Sequence, residues 1–252
     1  MVILRNLRES SGIRHGIPPS GPPITLPLPS AAMALTRALL EFSPIMPCSW
    51  SGRASLGVVE SSLTPSPRAP PEASPTPPSL IPGLLQTREY GAAILDQQFP
   101  NMPEDQRLER LEIRDKRREV FDHPRPLVFW GVISESVFRH VIGGPEVMAG
   151  QLEQLLSLAK GYPGTINIHV LPEESPSHGA LFGPFVILSF PQRWEPDVVY
   201  LEGLFSTRFL EKTEQVQEYS RLFRHLMMAD SLRGAESLKP IERHLDDYRK
   251  DG

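Results

Sequence analysis

Proline is distributed so unevenly along the 252 residues that it divides the chain into two parts. Residues 1–79 hold 15 of the 28 prolines, and residues 80–252 hold the other 13. Because proline lacks a backbone N–H and interrupts helices and central strands, a proline-dense segment builds little regular structure. We therefore predict a disordered Pro/Ser/Arg-rich segment over 1–79 and a globular domain over 80–252.

Charge and cysteine content narrow the class of protein. The formal charge of 1–79 is +2, so the rest of the chain, within a total of −4, carries −6 and has no general attraction for nucleic acid. The single cysteine, Cys48, excludes an internal disulfide and suits a reducing compartment. No run of residues approaches the ~18 apolar positions that a membrane span requires. We therefore predict a cytoplasmic protein without a membrane association.

The segment 1–79 has three explanations that its sequence leaves open. It is rich in serine and arginine and poor in acids, as organellar transit peptides are. It also has the composition of a solvated tail. A wrongly chosen start codon or a shifted reading frame in GC-rich DNA would give the same Arg/Pro/Ser/Ala mixture. A peptide from residues 1–60 found in the native protein by mass spectrometry would exclude this third explanation.

From residue 80 onward, periodicity predicts an α+β fold with a small, mostly antiparallel sheet covered by helices. Apolar runs predict strands over 127–134, 165–171, 184–190 and 198–202. Thr87 is the predicted N-cap of the first helix. Three further helices are predicted from Pro103 to about Phe121, from Pro145 to Gly161 and from Glu211 to about Asp230. A final short helix is predicted around Leu245. Short links between the last strands favour antiparallel neighbours.

Known catalytic and cofactor motifs are absent from the sequence. There is no Walker loop, GxGxxG, GxSxG or HExxH, and we predict no cofactor, no metal and no catalytic residue. His169, Glu173, Glu174 and His178 have the side chains of metal ligands, but their spacing is typical of polar surface groups instead. Glu135 and Glu202 end apolar strands, so a small enzyme that uses them or His169 for acid–base chemistry is the alternative function.

Four arginines with a spacing of 3, 4 and 3 residues form one stripe along the second predicted helix. They are Arg107, Arg110, Arg114 and Arg117. The stripe is either a basic face for an acidic partner or one side of a solvated helix that is rich in charge pairs. Acidic residues interleave with the arginines and nearly cancel their charge, which favours the second interpretation.

A resemblance extends over about residues 80–249. Leu80–Tyr90 resembles the "vPGLLQTeeYA" start of a C-terminal domain of unknown function in actinobacterial WhiJ-like, XRE-family, antitoxin-like transcriptional regulators. Six further stretches resemble that family in the right order: 110–117 ("RxxxRxxRQ"), the strand-end Glu135, 143–152 ("vGgpevMrxQL"), 166–172 ("vtvqVLP"), 178–185 ("gaHpglxGpF") and 199–202 ("vYvE"). Arg118 stands where the family usually has glutamine.

The resemblance implies a regulatory domain that binds a small partner protein or a signal ligand. In the family an N-terminal helix-turn-helix reads DNA, but 1–79 offers no three successive amphipathic helices, so we expect a truncated regulator that does not bind DNA directly. A second possibility is an intact regulator whose partner supplies the DNA reader. The residues that we predict to bind the partner are Gln86, Arg107, Arg110, Arg114, Arg117, Glu135, His178 and Glu202; the surfaces are the 81–90 turn, the arginine stripe and the loop 173–184.

Overall fold

The computed structural model describes residues 2–6, 80–124, 126–175, 183–189, 196–202 and 207–251. The strands are β1 (Val2–Asn6), β2 (Leu127–Ser134), β3 (Ile166–Leu171), β4 (Phe185–Ser189), β5 (Val198–Glu202) and β6 (Thr207–Leu210). The α-helices are α1 (Arg88–Gln98), α2 (Glu104–Arg118), α3 (Pro145–Gly161), α4 (Thr213–His225) and α5 (Ala235–Asp251). Short 3-10 helices span Gly83–Leu85, Glu119–Phe121 and Glu135–Arg139, and a π-helix, Leu226–Asp230, continues α4.

All six described strands form one sheet in the order β3-β2-β1-β4-β5-β6. The pairs β2–β1, β4–β5 and β5–β6 are antiparallel, whereas β3–β2 and β1–β4 are parallel. The sheet is therefore mostly antiparallel, and helices lie on it, which confirms the predicted α+β class. The prediction that the last strands are antiparallel neighbours is also confirmed.

Local sequence signals explain most element boundaries. The Thr87 hydroxyl accepts a hydrogen bond from the Tyr90 backbone N–H at 3.2 Å, which caps the start of α1 as predicted. The helix α3 begins with Pro145 after two glycines in the left-handed region, Gly143 and Gly144. A side chain at Gly143 would also lie 2.9 Å from the Ala93 Cβ, so this position requires glycine for space as well.

One face of the sheet carries the larger core. It packs the apolar turn around Leu85 and the buried sides of α1, α3 and α5 against β1, β2 and β3. In β2 the Phe129 ring lies over Gly131, where a Cβ would come within 2.6 Å of the ring, and Phe121 meets that ring edge-on at 6.4 Å. Glycine in the strand therefore makes room for an aromatic side chain.

The opposite face carries a smaller core beneath α4 and the π-helix. Val132, Phe185 and Val199 from the sheet pack there against Phe223 and Leu226. Because successive strand residues point to opposite faces, β2 serves both cores, which explains its almost uninterrupted apolar sequence.

The structure adds two strands that the sequence did not predict. β1 lies inside the segment for which we predicted disorder, so that prediction is wrong for Val2–Asn6; the other residues of 1–79 lie outside the described residues. β6 is four residues long and pairs with β5. The final helix, α5, has 17 residues instead of being short, and it includes Pro240.

Candidate functional site

The 81–90 turn, which carries the family-like sequence, is held by a buried glutamine. Gln86 is 7% exposed, and its Nε2 donates to the Ile81 carbonyl at 2.7 Å. Its Oε1 accepts a hydrogen bond from Arg114 Nη1 at 2.6 Å. Both ends of the side-chain amide therefore have partners inside the domain, and Gln86 fixes the turn against α2.

A second glutamine, Gln151 of α3, holds the same turn from the other side. It is fully buried, its Oε1 accepts from the Thr87 N–H at 2.7 Å, and its Nε2 donates to the Leu85 carbonyl at 2.9 Å. Sequence reasoning missed this residue. The sequence did contain an indication of its role, because Gln151 is a polar residue that directly precedes Leu152 in the apolar stripe of α3.

The arginine stripe of α2 lies against α1 and the turn. Arg107 binds Asp96 through two hydrogen bonds of 2.7 and 3.1 Å, and this contact lowers the pKa of Asp96 below its usual value. The Arg110 guanidinium lies 5.0 Å from the centroid of the Phe99 ring, within cation–π range. Arg117 is half-buried. All four predicted stripe residues therefore have contacts within the domain.

Glu135, directly after β2, is part of a charged cluster with α5. It is 3% exposed and accepts hydrogen bonds from Arg243 and from His244, whose Nε2 lies 3.3 Å away. The His244 ring also packs on Phe138 at 6.0 Å. The carboxylate thus connects the end of β2 to the last helix, on the face that carries the larger core.

His169 of β3 lies on the other face of the sheet. It is 6% exposed and stacks on Trp130 at 5.9 Å, and its Nδ1 has no hydrogen-bond partner among the described residues. Burial, with a smaller contribution from the positive charge of Arg233, lowers the pKa of His169 below its usual value. A neutral imidazole is the form that this environment favours.

The remaining predicted residues are not brought together in the described structure. Glu173 pairs with Arg139 at 2.6 Å. No three His, Cys, Asp or Glu side chains form a metal-binding group within the described ranges. His178 and most of the loop 173–184 lie outside these ranges. Glu202 ends β5, but its side chain is outside the described part.

Comparison with known proteins identifies a family for this chain. The model of a protein family described as "Domain of unknown function (DUF5753)" matches residues 75–243, more than half of the chain. The chain matches no curated protein and no solved structure. Among the helices that the structure describes, none combines the length and the apolar character needed to cross a membrane.

Proposed function

Because the chain belongs to the DUF5753 family, whose function is unknown, we propose that it is the partner- or signal-binding regulatory domain of a WhiJ-like, XRE-family, antitoxin-like transcriptional regulator. In this proposal the chain works in the cytoplasm and lacks its own helix-turn-helix. The ordered resemblance of seven stretches over 80–249 supports this specific function, and the match to the family model is compatible with it.

The exposed side of α2 is the observation that carries the proposal. Leu108 is 42% exposed there. The exposed charged residues within about one helical turn of it are all acidic: Glu104, Asp105, Glu109 and Glu112. An apolar side chain surrounded by acids suits a basic protein partner, because opposite charges steer the encounter and the apolar contact adds affinity. The same acids would repel DNA phosphates.

This geometry changes how the arginine stripe is best tested. Reversal of charge at Arg110 and Arg114 would weaken partner capture if the stripe itself binds. The Arg114 contact with Gln86 means, however, that a change at Arg114 also disturbs the 81–90 turn. Variants on the exposed side of α2 avoid this complication, because Glu109 and Glu112 are exposed.

The experiment is co-expression of the full chain with each small protein encoded next to its gene, followed by measurement of affinity for any partner that co-purifies. We expect Glu109→Lys with Glu112→Lys to weaken partner binding at least ~10-fold, about 1.4 kcal/mol. The control variant, Glu211→Lys with Glu214→Lys, reverses two exposed acids at and beside the start of α4 and should bind as the wild type does. Equal weakening by both variants would contradict the α2 surface, and the absence of any neighbouring partner would contradict the protein-partner form of the proposal.

A DNA mobility shift separates the two regulatory alternatives. We expect the chain alone to produce no shift at its own promoter. A shift that returns when the partner is added would favour a regulator whose partner supplies the DNA reader. A shift by the chain alone would contradict the proposal that it lacks one.

The enzyme alternative has less support from the geometry. Glu135 is bound to Arg243 and His244 on the face with the larger core, whereas His169 stacks on Trp130 on the opposite face. Acid–base catalysis needs its groups within hydrogen-bonding reach of one substrate, and a sheet separates these two.

A further inference from the structure

The strand β1 occupies the middle of the sheet. It pairs antiparallel with β2 on one side and parallel with β4 on the other. Leu4 stands opposite Phe129 and Leu188 in the register, is 1% exposed and belongs to the larger core. The five residues of β1 therefore supply backbone partners to two strands, and Leu4, the side chain that the structure describes among them, belongs to the core.

This central strand does not come from the part of the chain that matches the family. The match covers residues 75–243, and residues 7–79 separate β1 from the rest of the described domain. The matched part contributes β2 and β4, whose facing edges would be unpaired without a strand between them. Strands in a sheet lie about 4.8 Å apart, so β2 and β4 leave room for one strand. We call this position between β2 and β4 the slot. Unpaired backbone groups there would cost free energy, so the structure is more stable when a strand occupies the slot.

The chemistry of β1 indicates what the slot accepts. Backbone hydrogen bonds on both sides recognise any extended segment and carry no sequence information. Selectivity comes from the position of Leu4, which faces the core between Phe129 and Leu188. A suitable ligand is thus an extended peptide segment with a leucine-like side chain at its centre.

We propose that the position between β2 and β4 is a binding slot for an extended apolar segment of a partner protein, and that β1 occupies it as an intramolecular competitor. The identity of the site as a partner site rests on the proposed function, whereas the ability of the slot to exchange its strand does not. A partner segment displaces β1 by β-strand addition, and the chain responds by releasing its first residues from the sheet.

The test uses the full chain and a fluorescent peptide with the sequence of residues 1–7, MVILRNL. The variant Leu4→Arg places a charge in the core whenever β1 is in the slot, so β1 should leave it. We expect this variant to bind the peptide at least ~10-fold more tightly than the wild type does. A peptide with the same Leu4→Arg change is the matched control and should bind neither protein. A folded Leu4→Arg variant that binds no peptide, or that binds as the wild type does, overturns the proposal.

A second variant keeps the test valid if Leu4→Arg fails to fold. Arg5 and Val128 are register partners across the antiparallel β1–β2 pair, where Cβ atoms are about 4.5–5.5 Å apart, close to disulfide range. In the background Cys48→Ser, the double variant Arg5→Cys, Val128→Cys should form this disulfide. We expect the oxidised protein to bind the peptide at least ~10-fold more weakly than the reduced protein. Equal binding of the peptide by the oxidised, cross-linked protein and by the reduced protein overturns the proposal.

The outcomes also separate the slot from its occupant and from the proposed function. The occupant could also be β1 of a second copy of this chain. In that case the wild type would form a dimer at high concentration, and the oxidised double variant would not. That result would overturn a partner protein as the occupant. If the peptide fails to bind but a neighbouring protein still co-purifies through α2, only the slot is refuted. If the peptide binds but no partner protein exists, the proposed function is refuted and the slot remains.

Discussion

The strand β1 and the helix α3 contribute to the same core in different ways. β1 is five residues long, and Leu4 is its described core side chain. α3 has 17 residues, of which six are buried, and contacts α5, β3 and the 81–90 turn. β1 is a short strand held by pairing on both of its edges, whereas α3 packs against several elements of the domain.

This difference predicts that the two elements have different local stability. Because β1 is joined to the domain through a long stretch of sequence, it can leave the sheet while α3 and the core around it stay packed. Its release breaks the pairing with β2 and β4 and exposes Leu4. Opening of α3 would expose the centre of the core and both bonds of Gln151, so it should occur only with global unfolding.

The largest effect is expected from truncation of a leucine in α3. Leu155 is fully buried, and Leu155→Ala should lower the free energy of unfolding by about 3–4 kcal/mol. The matched change in β1, Leu4→Ala, should cost about 1–2 kcal/mol, because release of β1 limits the loss. Urea unfolding followed by circular dichroism measures both, and equal losses would contradict the contrast.

Removal of the buried glutamine of α3 should have the next largest effect. Gln151→Ala leaves the Thr87 N–H and the Leu85 carbonyl without their partner, and we expect a loss of about 3 kcal/mol. Gln154→Ala, one turn further along the helix at a half-buried position, should cost less than about 0.5 kcal/mol. Thermal unfolding of both variants is the measurement, and similar shifts would show that the turn does not depend on Gln151.

The carboxylate at the end of β2 should contribute less than Gln151 does. Glu135→Ala leaves Arg243 and His244 without their acceptor, and because the Arg243 side chain is 61% exposed we expect a loss of about 2 kcal/mol. Glu153→Ala breaks an exposed pair with Arg249 and should change stability by less than about 0.5 kcal/mol. Chemical unfolding at neutral pH compares the two. A Glu135→Ala protein as stable as the control would mean that the cluster adds nothing to the attachment of α5.

The smallest effect concerns the pH dependence of stability on the opposite face. Because the pKa of His169 is lowered in the folded state, the unfolded chain binds the proton more tightly. The contribution of His169 is therefore fully present above its unfolded pKa and is lost as the pH falls below it. We expect His169→Phe, which keeps a ring against Trp130, to reduce the loss of stability between pH 7.5 and pH 5. His140→Gln, at an exposed position, should leave that loss unchanged; the same pH profile for both variants would contradict the assignment.

Local signals in the sequence predicted the elements that carry such signals. Thr87, Pro145 and the apolar run of β2 define their boundaries within a few residues, because caps, breakers and periodicity act over short distances. The strand β1 escaped prediction because its pairing with β2 and β4 is entirely long-range and its surroundings are rich in proline. β6 is too short to show a period of two.

The predicted site was harder to obtain from sequence than the fold was. The spacing of the arginines correctly places them on one side of α2, but it cannot show that this side meets α1. The contact between Gln86 and Arg114 joins residues 28 positions apart, so it depends on how the helices pack. For the same reason the sequence indicated Glu135 as a strand-end carboxylate but gave no sign of its partners in α5.

Hydrogen exchange at the backbone amides of Val2–Asn6 in the full chain is the most direct measurement of the account as a whole. We predict exchange that is clearly slower than in an unfolded chain, since these residues lie between β2 and β4. It should still be faster than at Phe129 in β2, whose N–H donates to the Thr165 carbonyl on the side away from β1 and stays bonded when β1 opens separately. Exchange at the unfolded-chain rate throughout Val2–Asn6 would contradict the central position of β1.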